Sequence, residues 1–198
     1  MLALAKECAI EVAYHDKQSL SRISKNSKQD QGVALDIVVP HSGSVDLFLA
    51  EHDSYRIIAL DGVTNPQNLG MIIRSCAAGT IDAILIPSRG NAQISPLVIK
   101  ASAGTLFKIP ILKTENLGDT LKMMQKEGAS LYTLTSEAAQ SYRDEHYSAQ
   151  SVFVLGNESE GVSQEIRTLC DHTVSIPMHR GVESLNVAVI ASLLAFMD

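Results

Sequence analysis

From residue 56 onward, short apolar runs alternate with stretches in which apolar side chains recur every third or fourth position. Arg56–Asp61 reads as a buried strand that ends in a turn at Asn65-Pro66. Leu69, Ile72, Ile73, Cys76 and Ala77 keep the i, i+3, i+4, i+7, i+8 spacing of one helical face, which predicts a helix over Gln67–Ala78 with Gly79 as its stop. Asp82–Ile86 is the next strand. Ser95 then caps a helix with Pro96 at its first position and Gly104 beyond its end. Ile109–Leu112 predicts a short strand, and Thr114 caps a helix ending near Gly128. Leu131–Thr135 and Val152–Leu155 are further strands, Ser163 caps a short helix, His172–Ile176 is the last strand and Ser184–Phe196 the last helix. Strands alternating with helices predict an α/β domain with a Rossmann-like, mostly parallel sheet over residues 55–198.

Residues 1–50 are patterned more weakly. They predict a helix, a strand near Glu11–Tyr14, a helix from Asp16, a polar stretch Ser24–Gln31, a strand at Val33–Val39 and a capped helix from Ser44. That is too little to close a sheet domain of its own, so the expectation is a partial small α/β domain ahead of the main one.

Composition narrows the class. Of 198 residues, 45% are hydrophobic and 19% charged, and no apolar run approaches the ~20 residues of a membrane span. Lys6 and Glu7 interrupt the first apolar stretch, so a signal peptide is not expected. Cys8, Cys76 and Cys170 are odd in number and form no CxxC pair, which favours reduced thiols in a cytoplasmic protein over a disulfide framework or a structural metal site. The net charge of −6 argues against a basic nucleic-acid footprint, but its distribution is uneven. Residues 62–113 hold five basic side chains (Arg74, Arg89, Lys100, Lys108, Lys113) against the single acid Asp82.

Three segments rich in glycine and asparagine follow predicted strands, where open α/β sheets place their ligands. The first is Asn65-Pro66-Gln67-Asn68-Leu69-Gly70, with Arg74 on the ensuing helix between Gly70 and Ala78. Small residues there would let a phosphate or another backbone approach the guanidinium. The second is Gly156-Asn157-Glu158-Ser159-Glu160-Gly161, which is neither a Walker A loop nor G-x-G-x-x-G. The third runs from Ile176-Pro177-Met178 through Arg180-Gly181 to Ser184-Leu185-Asn186. Ser184 is expected there as a helix N-cap rather than a nucleophile, since no base partner is evident. The helix after it carries Ser192 as its sole polar residue from Val187 to Met197, and a helix apolar all round must be buried on nearly every side. At the end of so small a chain this predicts a subunit interface.

Together the three segments resemble the signature motifs of the SpoU/TrmH branch of the SPOUT methyltransferases over about residues 55–198. Asn68 and Arg74 match an asparagine six residues before an arginine, Gly156 and Glu158 a glycine closely followed by a glutamate, and Ile176–Met178 with Ser184–Val187 the I-P-M…S-L-N-V pattern. Ser95–Gly104, with Lys100, is similar to the family's S-P-x-x-x-K-x-S-A-G segment. One departure stands out: the family's glycine two residues after the methionine is Arg180 here, with Gly181 next.

The resemblance implies a trefoil knot at the C-terminal end of the domain, S-adenosylmethionine as cofactor without a metal, and transfer of its methyl group to a ribose 2′-hydroxyl of ribosomal or transfer RNA. It implies cofactor contacts at Thr135, Gly156, Ile176 and Leu185, and catalytic roles for Asn68, Arg74, Glu158, Ser184 and Asn186. It also implies a homodimer built across the knot. Since a guanidinium stays charged at any working pH, Arg74 is expected to grip phosphate and stabilise a developing alkoxide rather than act as a free base. Asp30-Gln31-Gly32-Val33 resembles the end of the RNA-binding domain that precedes the catalytic domain in many relatives, so residues 1–50 are expected to be part of such a domain. The competing readings are a catalytically silent RNA-binding or assembly protein on the same fold, which loss of Arg74 or Asn186 would favour, and a dinucleotide-dependent oxidoreductase. The latter lacks both its glycine fingerprint and the acid ~20 residues on.

Overall fold

The computed structural model describes residues 1–24, 32–38, 43–157 and 159–197. They form two compact units, residues 1–40 and 41–198.

In the first unit, helix α1 spans Leu2–Glu7 and α2 spans Lys17–Ser24. Asp16 starts α2 as expected: its carboxylate accepts from the Ser19 backbone N–H at 2.8 Å. The strands expected near Glu11–Tyr14 and from Val33 are not formed among the described residues, and Val39 lies outside them. Alternation makes a strand only where a partner completes the ladder. Val12, Tyr14, Leu35 and Ile37 stay exposed, and α1 and α2 bury nothing.

The second unit is built on a six-stranded, wholly parallel sheet. Its strands are β1 (Tyr55–Asp61), β2 (Ala83–Pro87), β3 (Ile111–Thr114), β4 (Ser130–Leu134), β5 (Gln150–Gly156) and β6 (His172–Val174), in the order β3-β2-β1-β5-β4-β6. Ile57, Ile58, Ala59 and Leu60 are all fully buried, which explains why this strand reads as a continuous apolar run rather than an alternating one. Helices cover both faces. Helix α3 (Val45–Glu51), α6 (Leu117–Lys126) and α7 (Gln164–Leu169) pack with Ile57, Leu85, Val152 and Val154. Helices α4 (Pro66–Ala78), α5 (Pro96–Ala101) and α8 (Val187–Ala195) form the other group.

Several predicted caps shift for local reasons. Strand β3 continues through Thr114, so Asn116 caps α6, accepting from the Asp119 N–H at 3.1 Å. Ser95 and Ser163 stand at their N-cap positions without a side-chain bond. Ser184 is not the cap of the last helix; Asn186 is, accepting from the Ala188 N–H at 2.8 Å. Gly79 ends α4, but not by a left-handed turn: a Cβ there would collide with the Ala195 carbonyl. Its role is to let the end of α8 lie directly on α4, where the Thr80 N–H donates to the Ala195 carbonyl at 2.8 Å.

Helix α8 is not enclosed within one chain. Ala188, Ala191, Leu194 and Ala195 face inward, while Val189 is 46% and Phe196 62% exposed. The exposed side borders a groove of roughly 600 Å³, whose walls include Tyr142, Tyr147, Val189 and Phe196.

Candidate active site

The chain winds from β1 outward through β2 and β3 on one side, while β5, β4 and β6 extend the sheet on the other. The winding therefore reverses between β1 and β5, and the C-terminal ends of those strands open the crevice in which such sheets bind ligands. Three of the expected cofactor positions stand at the C-terminal strand ends on the β5 side of that crevice. Gly156 ends β5; Thr135 follows β4 and donates its N–H to the Val174 carbonyl of β6 at 3.0 Å; Ile176 lies two residues beyond β6. The register Thr133↔Val154 sets Thr135 level with Gly156 two places on.

Gly156 is required here for space. A Cβ on it would overlap the backbone of Gly161 and Val162, so the second glycine-bearing loop folds tightly over the end of its strand. Gly161 takes a positive φ of 69° to close that loop. Two residues whose role the sequence pattern does not single out shape it. The Asn157 side chain accepts from the Ser159 and Glu160 N–H groups at 2.9 and 2.7 Å, and Asp61 at the end of β1 accepts from the Ser163 N–H at 2.7 Å. An asparagine directly after a strand-ending glycine is the signal for such a side-chain turn. Glu158 lies outside the described residues.

The first and third motifs meet. Asn65 caps α4, accepting from Gln67 N–H at 2.8 Å, and this presents Asn68, 5% exposed, at the first turn. The Asn186 side-chain amide donates to the Asn68 side-chain oxygen at 3.2 Å. From there α8 runs alongside α4 in the same sense, with the Ser75 and Ser192 hydroxyls 2.7 Å apart and Ala195 against Gly79. Leu185, half-buried, and Ser184, exposed, are thereby carried toward the start of α4.

Arg74 does not join this cluster. It lies six residues past Asn68, roughly 9 Å along the helix and about 240° around it, and it is exposed. The small-residue stripe expected around it is only half open. Gly70 is buried beneath α5, where a Cβ would stand 2.8 Å from the Val98 carbonyl, so Met71 and Ala78 are the exposed neighbours of Arg74 on its own face. Among the described residues, no hydrogen bond or ion pair restrains its guanidinium.

The third-motif loop is held by a tight turn in which the Val182 N–H donates to the His179 carbonyl at 3.2 Å. Its two central residues, Arg180 and Gly181, have φ of 60° and 74°, the signature of a type I′ turn. The family's glycine position is thus left-handed, and an arginine occupies it. From Ile176 to Leu185, Val182 has the one backbone N–H so engaged among the described residues, and the N–H groups of half-buried Ile176, Met178 and Leu185 make no such bond among them. Burial pushes the Cys76 and Cys170 thiols up to about 12, so neither is a thiolate nucleophile at neutral pH. Among the described residues there is no group of three metal-ligating side chains and no helix long and apolar enough to cross a membrane.

A model of the SpoU rRNA methylase family matches residues 55–196. A Staphylococcus saprophyticus protein, by name a TrmH family tRNA/rRNA methyltransferase, is 30% identical over 99% of this chain and 80% of its own length. The 23S rRNA (guanosine-2′-O-)-methyltransferase RlmB of Xanthomonas campestris is 39% identical over 71% of this chain and 56% of its own. The crystal structure of the SpoU methyltransferase AviRb from Streptomyces viridochromogenes in complex with AdoMet superposes with a TM-score of 0.70 at 26% identity, covering 79% of this chain and 63% of that one. The chain thus spans less than two thirds of the length of the latter two.

Proposed function

The chain belongs to the SpoU rRNA methylase family, and from that premise we propose that it is an S-adenosylmethionine-dependent RNA ribose 2′-O-methyltransferase, acting in the cytoplasm as a homodimer. The observation that carries the proposal is the Asn186–Asn68 bond, which joins the third motif to the first beside the strand ends bearing Thr135, Gly156 and Ile176.

The residues present suit the cofactor. The backbone donors of Ile176, Met178 and Leu185 offer hydrogen bonds to a heterocycle, and Thr135 and Gly156 stand at adjacent strand ends on the same side of the crevice. When bound there, S-adenosylmethionine supplies an electrophilic methyl group. Asn68, locked by Asn186, positions the ribose; Ser184 and Asn186 order the loop; Glu158 holds the ribose or Arg74. Arg74 grips an RNA phosphate through its planar fork and stabilises charge developing on the attacking 2′-oxygen. Alignment of the hydroxyl with the methyl group supplies much of the barrier reduction.

A site completed by two subunits accounts for Arg74 pointing away from Asn68 in one chain, because an arginine open to solvent can reach a partner's crevice. The exposed Val189 and Phe196 on α8 support the same assembly. In this reading the third-motif segment is threaded as a trefoil knot, and residues 1–50 belong to an RNA-binding type of domain preceding the catalytic one. Retention of Asn68, Arg74 and Asn186 leaves a silent RNA-binding protein without support. Titration calorimetry with S-adenosylmethionine in EDTA tests the cofactor assignment. Binding in the micromolar range, about −8 kcal/mol, is expected; silence at millimolar ligand would overturn it.

A further inference from the structure

Arg180 stands where the turn requires a left-handed residue, with φ of 60°. A residue bearing a Cβ is strained in this conformation, and Gly, Asn and Asp are the residues that relieve it in type I′ turns. Nothing inside the chain offsets that strain. Among the described residues the guanidinium makes no hydrogen bond, ion pair or ring contact, and the side chain is exposed. A strained residue without an internal contact points to an external one.

We propose that Arg180 is a phosphate-binding residue, projected from the strained turn at the mouth of the site to hold the backbone of the RNA. The turn lies midway between Ile176, at the end of β6, and Asn186, locked to Asn68, so both ends of its loop are anchored at the crevice. A rigid two-residue turn between anchored ends presents its side chain at little further entropic cost. The guanidinium is always charged and offers a planar pair of donors that matches phosphate oxygens. Along residues 114–198 twelve acids outnumber five bases, of which Arg180 is one, so few cations in this half of the chain could take that role. The carboxylate of the cofactor's methionine moiety offers similar oxygens, but a solvent-exposed turn tip suits a large external ligand better. The proposal rests on the reading of the chain as an RNA methyltransferase.

The test compares the full-length wild type with Arg180→Gly, Arg180→Asn and Arg180→Lys, titrating an unmodified transcript of 23S ribosomal RNA across a salt series. Cofactor affinity and thermal unfolding are measured in parallel. Arg180→Gly and Arg180→Asn should melt no lower than wild type, keep cofactor affinity and bind RNA more weakly. Their slope of log affinity against log salt should be shallower by roughly 0.7–0.9, one phosphate contact. Arg180→Lys should keep the slope. Unchanged slope and affinity in the glycine and asparagine variants overturn the proposal, as does a loss of cofactor affinity, which would assign Arg180 to the methionine carboxylate. If the wild type itself binds no RNA while binding cofactor, the functional reading fails and takes this proposal with it.

Discussion

Asn68 and Arg74 share one helix and one motif yet occupy opposite environments. Asn68 is buried and hydrogen-bonded to Asn186, while Arg74 is exposed. Their different surroundings separate their expected phenotypes. Arg74→Ala should lower methyl transfer by ~10²–10³, the usual cost of one charge-stabilising group, with cofactor affinity unchanged. Single-turnover kinetics beside calorimetry check this; transfer at the wild-type rate would remove Arg74 from the chemistry. Thr133 provides a test of the core beside the site. It is 1% exposed on β4, and among the described residues its hydroxyl has no hydrogen-bond partner. Thr133→Val removes an unsatisfied polar group and should raise stability by about 1 kcal/mol in urea unfolding. A loss of similar size would mean that the hydroxyl is hydrogen-bonded in solution.

Elements whose signal is local were legible in the sequence. The apolar period of α4 and the continuous runs of β1, β2 and β5 place those elements to within one or two residues. Elements that depend on contacts distant in sequence were not. The alternation at Val12–Tyr14 finds no partner strand among the described residues, and Gly79 and Gly156 are demanded by backbones that arrive from elsewhere in the chain. Gly156→Ala is therefore expected to force the Gly156–Gly161 loop off β5. Overpacking of this kind costs about 1–3 kcal/mol, roughly 5- to 150-fold in cofactor affinity if the whole strain falls on the site. Unaltered cofactor affinity in that variant would detach the loop from the site. Helix α8 was legible as apolar but not as two-faced. Leu194, fully buried, packs inside the chain, whereas Val189 lies on the open side. Val189→Glu should thus yield a folded monomer by light scattering, and Leu194→Glu an unfolded or aggregated chain, because only the latter buries an unpaired charge in the subunit core. A dimeric Val189→Glu protein would place the interface elsewhere.

At the scale of the whole molecule, the strand–helix alternation foretold the parallel sheet, and the three motifs follow the C-terminal ends of its strands β1, β5 and β6. The path of the C-terminal segment was beyond reach of any periodic pattern, because a chain's route through space leaves no mark on local hydrophobicity. The candidate site shows the same division. Thr135, Gly156 and Ile176 stand at neighbouring strand ends and Asn68 is bonded to Asn186, whereas Arg74 is exposed and apart from them. Incubating the purified protein with S-adenosylmethionine and unmodified ribosomal and transfer RNA transcripts, followed by mass-spectrometric mapping of the nucleosides, joins these threads. One ribose 2′-O-methylated nucleotide at a defined position, formed by the wild type and absent with Arg74→Ala, is the predicted result; methylation of a base, or no methylated nucleoside from a protein that binds both cofactor and RNA, would contradict the account.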